Sequence, residues 1–446
     1  MARGSAAGAA GRVTVARHAQ SDERHPLLRL LALVLVVVGV GAVSATGVAA
    51  YSLWDAASTV KDQAVVLNPD EELPPSLGAI EGGVNLLMVG TDTCEGQDVK
   101  LFPRCANNDS PGERNDVTML VHISDEPRRV TVVSFPRDMI VPIPACPDGA
   151  GGSYSAMSAQ KINESYTYGG LACTALTVES LIGDKIDFAA AIRWTGVINM
   201  SDAIGGVDVC IAGDISDPHT NLNLTAGQHT LVGVEALQFL RIRHGIGDGS
   251  DLGRISNQQQ FMGSMVRKLQ SDSVLGDPTR LLTLATTAIS QVQQGQLVLS
   301  SGLTNPTLMV QIAMAVKDVA YEDFVFVQYP TRYVEVGGGA EQVWPVTEAA
   351  DALFAAVQAN EPLTLTGEAS QGYGVEITGQ AEKPAATPSD SGSSEDEDED
   401  EGSGSGSTEE PTPSASATAD AEERVELPSD IAGQTADDVT CTVPQG

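Results

Sequence analysis

Basic charge is scarce in this 446-residue chain: 25 Lys and Arg stand against 59 Asp and Glu, a formal net charge of -34. Such a chain repels the phosphates of DNA and RNA, so nucleic acid is not among its expected partners. The six cysteines contain no CxxC pair, which argues against a zinc ribbon. His122, His229 and His244 have no Gly-x-Ser-x-Gly elbow to serve, which argues against a Ser-His-Asp hydrolase. His219 and His229 lack metal-ligand spacing and read as loop or core histidines. No internal repeat is visible. What remains is a chain with 42% hydrophobic and 4% aromatic residues, long enough to bury an ordinary core in one large or two modest domains.

The first residues break the acidic rule. Arg3, Arg12, Arg17, Arg24 and Arg29 face only Asp22 and Glu23, and an apolar stretch from Leu27 to about Tyr51 follows, with Arg29 as its one charge. That length spans a bilayer. It exceeds the apolar region of a cleaved signal peptide, although Val43-Ser44-Ala45 and Val48-Ala49-Ala50 loosely offer a cleavage site. The expectation is a cytoplasmic basic segment (1–26), a membrane helix (27–51) and an extracytoplasmic remainder, since the basic flank stays inside. All six cysteines follow the apolar stretch, and on an oxidising side they favour disulfides. Proximity pairs Cys94 with Cys105 and Cys146 with Cys173, leaving Cys210 and Cys441, although six cysteines allow about 15 arrangements.

A Pro-containing stalk (52–80) precedes the first patterned segment. Val84 to Gly90, Val117 to Ile123 and Val130 to Phe135 read as strands, as does Phe324 to Tyr329. Ala175 to Leu181, Val232 to Leu240, Leu252 to Leu269, Leu308 to Val316 and Val346 to Val357 read as helices. Mixed strands and amphipathic helices predict an α/β domain with helices on both faces of the sheet. Its expected end is near Leu365. Beyond that lies a Gly, Ser, Pro and acid-rich tail (366–446) with an acidic run from Glu395 to Glu401, too apolar-poor to repay chain entropy. Only Val425 to Val443, around Cys441, regains apolar character, which leaves open that it docks back on the domain.

Charged residues recur at predicted strand ends, where ligands of α/β sheets bind. Gly90-Thr91-Asp92 closes the first strand, Arg114-Asn115-Asp116 opens the second, and Pro136-Arg137-Asp138 closes the third. Carboxylates beside guanidinium forks suit a phosphate bridged by a hard cation. A structural ion pair explains any single one of them equally well. Arg241 and Arg243 would project to one side if the backbone there were extended, and could clamp one ligand. On the following helix Asp251, Arg254 and Gln258 share a roughly 60° arc. That face turns apolar at Met262, Met265 and Leu269. Two readings stay open: a head-group site leading into a prenyl slot, or a helix that starts at the surface and enters the core.

At these motifs the chain resembles the LytR-CpsA-Psr family. The matching segments are VNLLMVGTD (84–92), RNDVTMLV (114–121), SFPRDMIVPIP (134–144), KINESYTYGG (161–170), TVESLIGDKID (177–187), IGGVDV (204–209), LVGVEALQFLRIRH (231–244) and DLGRISNQQQF (251–261). The resemblance covers about residues 80 to 300. It implies an α/β/α domain (81–365) with a mixed central sheet and an apolar pocket for a polyprenyl chain. It also implies transfer of a polyprenyl-pyrophosphate-linked glycopolymer to peptidoglycan through a phosphodiester bond. By motif, Asp92 and Asp116 would ligate Mg²⁺, and Arg114, Arg137, Arg241, Arg243 and Arg254 would hold the phosphates. Asp251 and Gln258 would complete the head-group site, and Lys161 matches through the KIN segment. The general base is Asp92 or Asp251. Rival readings are a lipid pyrophosphatase and a non-catalytic polyprenyl-phosphate receptor. The stretch between Asp92 and Arg114 is longer than the family's joining loop and, with Cys94 and Cys105, suggests a tied flap.

Overall fold

The computed structural model describes residues 60–61, 63–67, 83–107, 112–271, 274–337, 340–370, 373–381 and 424–446. The predicted basic segment, membrane helix and acidic run lie outside these residues. Among the described residues, no helix is long and apolar enough to cross a membrane.

Seven strands form the central sheet: β1 (Val84–Thr91), β2 (Asn115–Ile123), β3 (Val130–Phe135), β4 (Phe188–Ile192), β5 (Leu297–Leu299), β6 (Phe324–Gln328) and β7 (Gly433–Thr435). Their order is β5-β4-β1-β2-β3-β6-β7. β4 is parallel to β1 and β6 to β3, while every other neighbour is antiparallel, so the sheet is mixed. Consequently β1, β3, β4 and β6 all end at one edge, and β2 begins there.

The near-continuous apolar runs of β1 and β2 reflect burial on both faces, with alternate side chains going to opposite sides. Leu87, Leu120 and Val133 meet Leu171, Val178 and Ile182 of α1 (Glu164–Ile182) and, across the same core, Leu353 and Phe354 of helix Thr347–Gln358. On the other face, Ile123, Val132 and Phe326 meet residues of three helices. These are Met262 and Val266 of helix Asp251–Ser271, Ile289 and Val292 of helix Pro278–Gln293, and Leu308 and Ile312 of helix Pro306–Ala315. In chain order the helices are α1, α2 (Trp194–Ala203), α3 (Gly233–Arg241), α4 (Asp251–Ser271), α5 (Pro278–Gln293), α6 (Pro306–Ala315) and α7 (Thr347–Gln358). The result is the α/β/α layering expected from the sequence. α5 starts where it does because the Asp277 side chain accepts the Thr279 and Arg280 amides, with Pro278 at the first helical position.

α1 is broken at Gly169 and Gly170, whose backbones are not helical. Gly170 has φ of 63°, open to glycine at little cost. A Cβ on Gly169 would lie 2.8 Å from Cys173 Cβ and 2.9 Å from the Pro147 carbonyl, so the bend lets α1 pass against the Cys146–Cys173 disulfide.

The expected domain end at 365 is too early. β7 extends the central sheet beyond β6, and strands Val375–Gln380 and Asp438–Thr442 join Val207–Ile211 and Gly227–Leu231 in a second, four-stranded sheet. Cys441 sits opposite Cys210 in that sheet and bonds to it. The segment from 424 is short and polar on average, and its few apolar residues act only through long-range pairing: Ile431, Ala432 and Ala436 are all at most 1% exposed. Part of the predicted stalk also packs on the domain, with Val60 buried and Val65 bridged to Ser300 beside β5.

Candidate functional site at the carboxyl edge of the sheet

The turns at the common edge bring together residues far apart in sequence. Asp92 follows β1, and its Oδ1 accepts the Arg114 amide at 3.1 Å, tying the end of β1 to the start of β2. Arg114 itself reaches Glu164 at the start of α1 (3.0 Å). Asp116 Oδ1 accepts from Arg137 Nη1 at 2.7 Å, linking β2 to the turn after β3. Asp138 accepts from Lys161 Nζ at 2.6 Å. Lys161 is held opposite Ile140 by the pairing of Ile140–Ile143 with Met157–Lys161.

α4 enters this edge with its N-terminus. Gly253 donates to Ser250 Oγ, and Asp251 occupies the first turn, where the helix dipole favours a carboxylate. Three guanidiniums surround Asp251 Oδ1: Arg254 Nη2 at 2.8 Å, Arg137 Nε at 3.5 Å and Arg243 Nε at 3.8 Å. Neither Asp251 oxygen accepts an aligned hydrogen bond, and the Nε atoms of Arg137, Arg243 and Arg254 are buried without an acceptor. Arg254 Nη2 also donates to the Asp116 carbonyl at 2.8 Å. Burial works against charge on Arg137, yet Asp116, Asp251 and Asp138 outweigh it and raise its pKa. Burial likewise opposes charge on Asp138, but Lys161 and Arg137 prevail and hold its carboxyl below the usual range. Although the whole chain is strongly acidic, this edge is a field of interleaved cations and anions, from buried Asp251 and Arg254 to half-exposed Arg114 and Lys161, with polar valences left over.

Directly behind it the second face of the sheet is incompletely covered. Met88, in a strand flanked on both sides, is 37% exposed, and Leu86, Val117, Val121, Ala190 and Ile192 around it are only half-buried. Register places Ala190 and Met119 beside Met88, and Ile192 and Val117 beside Gly90. Across from this floor stand Met200 of α2, Met262 and Val266 of α4, and Met309 of α6, also half-buried. The floor is thus apolar, and the cluster beside it is rich in methionine, a side chain that adapts to irregular occupants.

Most of the predicted residues meet here, but not all. Arg241 is the last residue of α3 and not part of an extended strand, so the extended-backbone geometry expected of Arg241 and Arg243 is not formed. Its guanidinium lies 4.5 Å from the Trp194 ring. Ile242 turns into the core, Arg243 joins Asp251, and His244 packs at a tilt against His219 with ring centroids 4.4 Å apart. Helix termination sends four consecutive side chains four ways. Gln258 is 2% exposed and donates to the Leu240 carbonyl, a brace between α4 and the end of α3. Met262 lines the second-face cluster, whereas Met265 packs in the core of the second sheet.

For Mg²⁺, Asp92 and Asp116 supply hard oxygen donors on adjacent strand ends. Among the described residues no group of three His, Cys, Asp or Glu gathers as a metal cage. Mg²⁺ is usually held by one or two carboxylates with phosphate and water completing the shell, so the donor chemistry fits.

The loop between Asp92 and Arg114 is closed by the predicted Cys94–Cys105 disulfide and pinned by Phe102 against Trp194, centroids 4.7 Å apart. One pair escaped the sequence reading. Arg193, directly after β4, makes a two-pronged contact to Glu113 (3.1 and 2.9 Å) beside Arg114. Its signal was the same as for the others, a charge at a strand end.

The LytR_cpsA_psr family model matches residues 48–350. The probable cell wall biosynthesis protein LcpB of Corynebacterium glutamicum is 31% identical over 234 residues, 52% of each chain. The cell wall biosynthesis protein LcpA of the same organism is 28% identical over 227 residues, 46% of this chain and 44% of that one. The polyisoprenyl-teichoic acid–peptidoglycan teichoic acid transferase TagU of Bacillus cereus is 27% identical over 246 residues, 54% of this chain and 71% of that one. The chain spans about half the length of the two corynebacterial relatives. With a family match over most of the domain, and the family's motifs gathered at one edge of an α/β/α fold, the chain belongs to the LytR_cpsA_psr family.

Proposed function

We propose that this protein is a membrane-anchored, extracytoplasmic phosphotransferase that moves a glycopolymer from polyprenyl pyrophosphate to peptidoglycan. One observation carries the reading: buried guanidinium Nε atoms without acceptors stand at the edge of a sheet whose second face leaves apolar residues exposed around Met88, where a lipid slot would lie. An amphiphile with an anionic head and an isoprenoid tail matches both parts at once. The relatives' names point to cell-wall assembly, and that of TagU to polyisoprenyl-linked transfer onto peptidoglycan. The apolar stretch 27–51 would hold the N-terminus in the membrane, and the pairing of all six cysteines suits an oxidising compartment.

In the proposed reaction a sugar hydroxyl of peptidoglycan attacks the phosphorus that carries the glycopolymer. The bond from that phosphorus to the bridging oxygen breaks, and polyprenyl phosphate leaves with that oxygen. A carboxylate takes the hydroxyl proton, and Asp92 and Asp251 are the candidates. Arg137, Arg243 and Arg254 would meet the charge that grows on the departing phosphate, so catalysis is mainly positioning and electrostatics. Asp92 and Asp116 would hold Mg²⁺, which neutralises phosphate charge when bound.

The test incubates purified full-length protein in detergent with labelled prenyl-pyrophosphate sugar, Mg²⁺ and peptidoglycan oligomers. The expected products are a phosphodiester-linked conjugate and prenyl monophosphate. Release of sugar phosphate without attachment would replace the reading with a pyrophosphatase, and saturable binding without turnover would replace it with a receptor.

A further inference from the structure

The charged edge explains how phosphate would be held and the slot how lipid would be held, but neither has a surface suited to a sugar ring. A hairpin beside them does. Strands Thr331–Val336 and Ala340–Pro345 pair with Tyr333 opposite Val343. Val343 is bridged to Met139, the residue after Asp138, and it packs with Val346 against the core on the first face of the sheet. The hairpin is therefore rooted on the side of the edge away from the slot, next to the turn carrying Arg137 and Asp138. In a chain with 4% aromatic residues, Tyr333 is 49% exposed. It also lies within reach of the site's charges. Burial pushes its phenol up first, Asp248, Asp251 and Glu341 add to this, and Arg243 opposes it.

We infer that Tyr333 is the stacking platform for a pyranose ring of the incoming acceptor glycan. This rests on the phosphotransfer reading and adds a side to it. In-line displacement at phosphorus puts the attacking oxygen opposite the leaving group. With the lipid in the slot on the second face, the acceptor must approach from the first-face side, where the hairpin stands. A tyrosine ring there offers a flat apolar face to sugar C–H groups, with a hydroxyl for the polar rim.

The experiment measures transfer by the full chain with a labelled prenyl-pyrophosphate disaccharide as donor and soluble oligomers of alternating N-acetylglucosamine and N-acetylmuramic acid as acceptor. Tyr333→Ala should raise the acceptor KM about tenfold, the worth of one aromatic contact, and leave the donor KM within about twofold. Tyr333→Phe, which keeps the ring, should stay near wild type. An unchanged acceptor KM for Tyr333→Ala, or an equal rise for the donor, overturns the assignment. If wild-type protein shows no acceptor-dependent turnover, the phosphotransfer reading fails by itself. Equilibrium titration of the same oligomers then decides for Tyr333: affinity must fall about tenfold in Tyr333→Ala, or the platform is wrong.

Discussion

The two faces of the central sheet are built from similar residues and finished differently. On the first, Leu87, Val89, Leu120 and Val133 are at most 1% exposed beneath α1 and α7. On the second, neighbouring residues of the same strands, Leu86, Met88, Val117 and Val121, keep solvent contact although α4, α5 and α6 lie over that side. Interiors normally close to crystal-like density, so an apolar floor left half-open in mid-sheet departs from ordinary packing, and it is where the proposed lipid tail would lie. The first face is closed at these positions, whereas the second is closed at Val132, Phe188 and Phe326 and open around Met88.

The largest effect should come from breaking the closed face. Leu120→Ala removes a side chain 1% exposed and should cost about 2–5 kcal/mol in denaturant unfolding, whereas Met88→Ala on the open face should cost under about 1 kcal/mol. Equal losses would mean that the faces are packed alike.

Next in size is the junction of slot and charged edge. Arg254→Ala should weaken binding of a short prenyl phosphate by about 1.5–3 kcal/mol, with Arg254→Lys recovering part, since the ammonium keeps charge but loses the fork. Its pairing with Asp251 is buried, so melting should fall as well. Normal affinity together with lowered melting would reduce Arg254 to a structural partner of Asp251.

Filling the open face sharpens the comparison further. Met88→Phe has space to enter, so stability should change by less than about 1 kcal/mol while prenyl-phosphate affinity drops. Val89→Phe, one residue away on the closed face, should instead destabilise by about 1–3 kcal/mol. Calorimetric titration and melting of both variants separate the two outcomes.

The smallest effect belongs to the rim. Asp138 is held below its ordinary range by Lys161 and Arg137. An unfolded aspartate titrates near about 3.9, so this contribution is complete above that pH and disappears as pH falls through the lower folded value. Asp138→Asn should therefore melt lower than wild type at pH 6, and the gap should narrow steadily as the pH is lowered below the ordinary carboxylate range. A gap that does not narrow on acidification would show that the carboxylate charge is not the cause.

Read residue by residue, the chain declared its strands because a doubly buried strand must be apolar along its whole length, as Val84 to Gly90 is. It declared its helices through spacing and through caps such as Asp277-Pro278. Charges at strand ends were equally legible: those of Asp92, Asp116 and Arg137 gather because β1 and β3 end and β2 begins at one edge, and Asp251 joins them from the first turn of α4. Arg241 lies on a helix and not on the extended backbone that the pattern Arg-x-Arg suggested, because where α3 stops is settled by packing of Leu237 and Phe239. Segment 424–446 was misread because its strands bury little alone and gain their partners only across the tertiary fold, through β6 and Cys210. The alternation of β1 determined that Leu87 and Met88 face opposite ways. Which of the two would be sealed was decided by how closely α1 and α7 on one side, and α4 to α6 on the other, approach the sheet, and local sequence does not encode that distance.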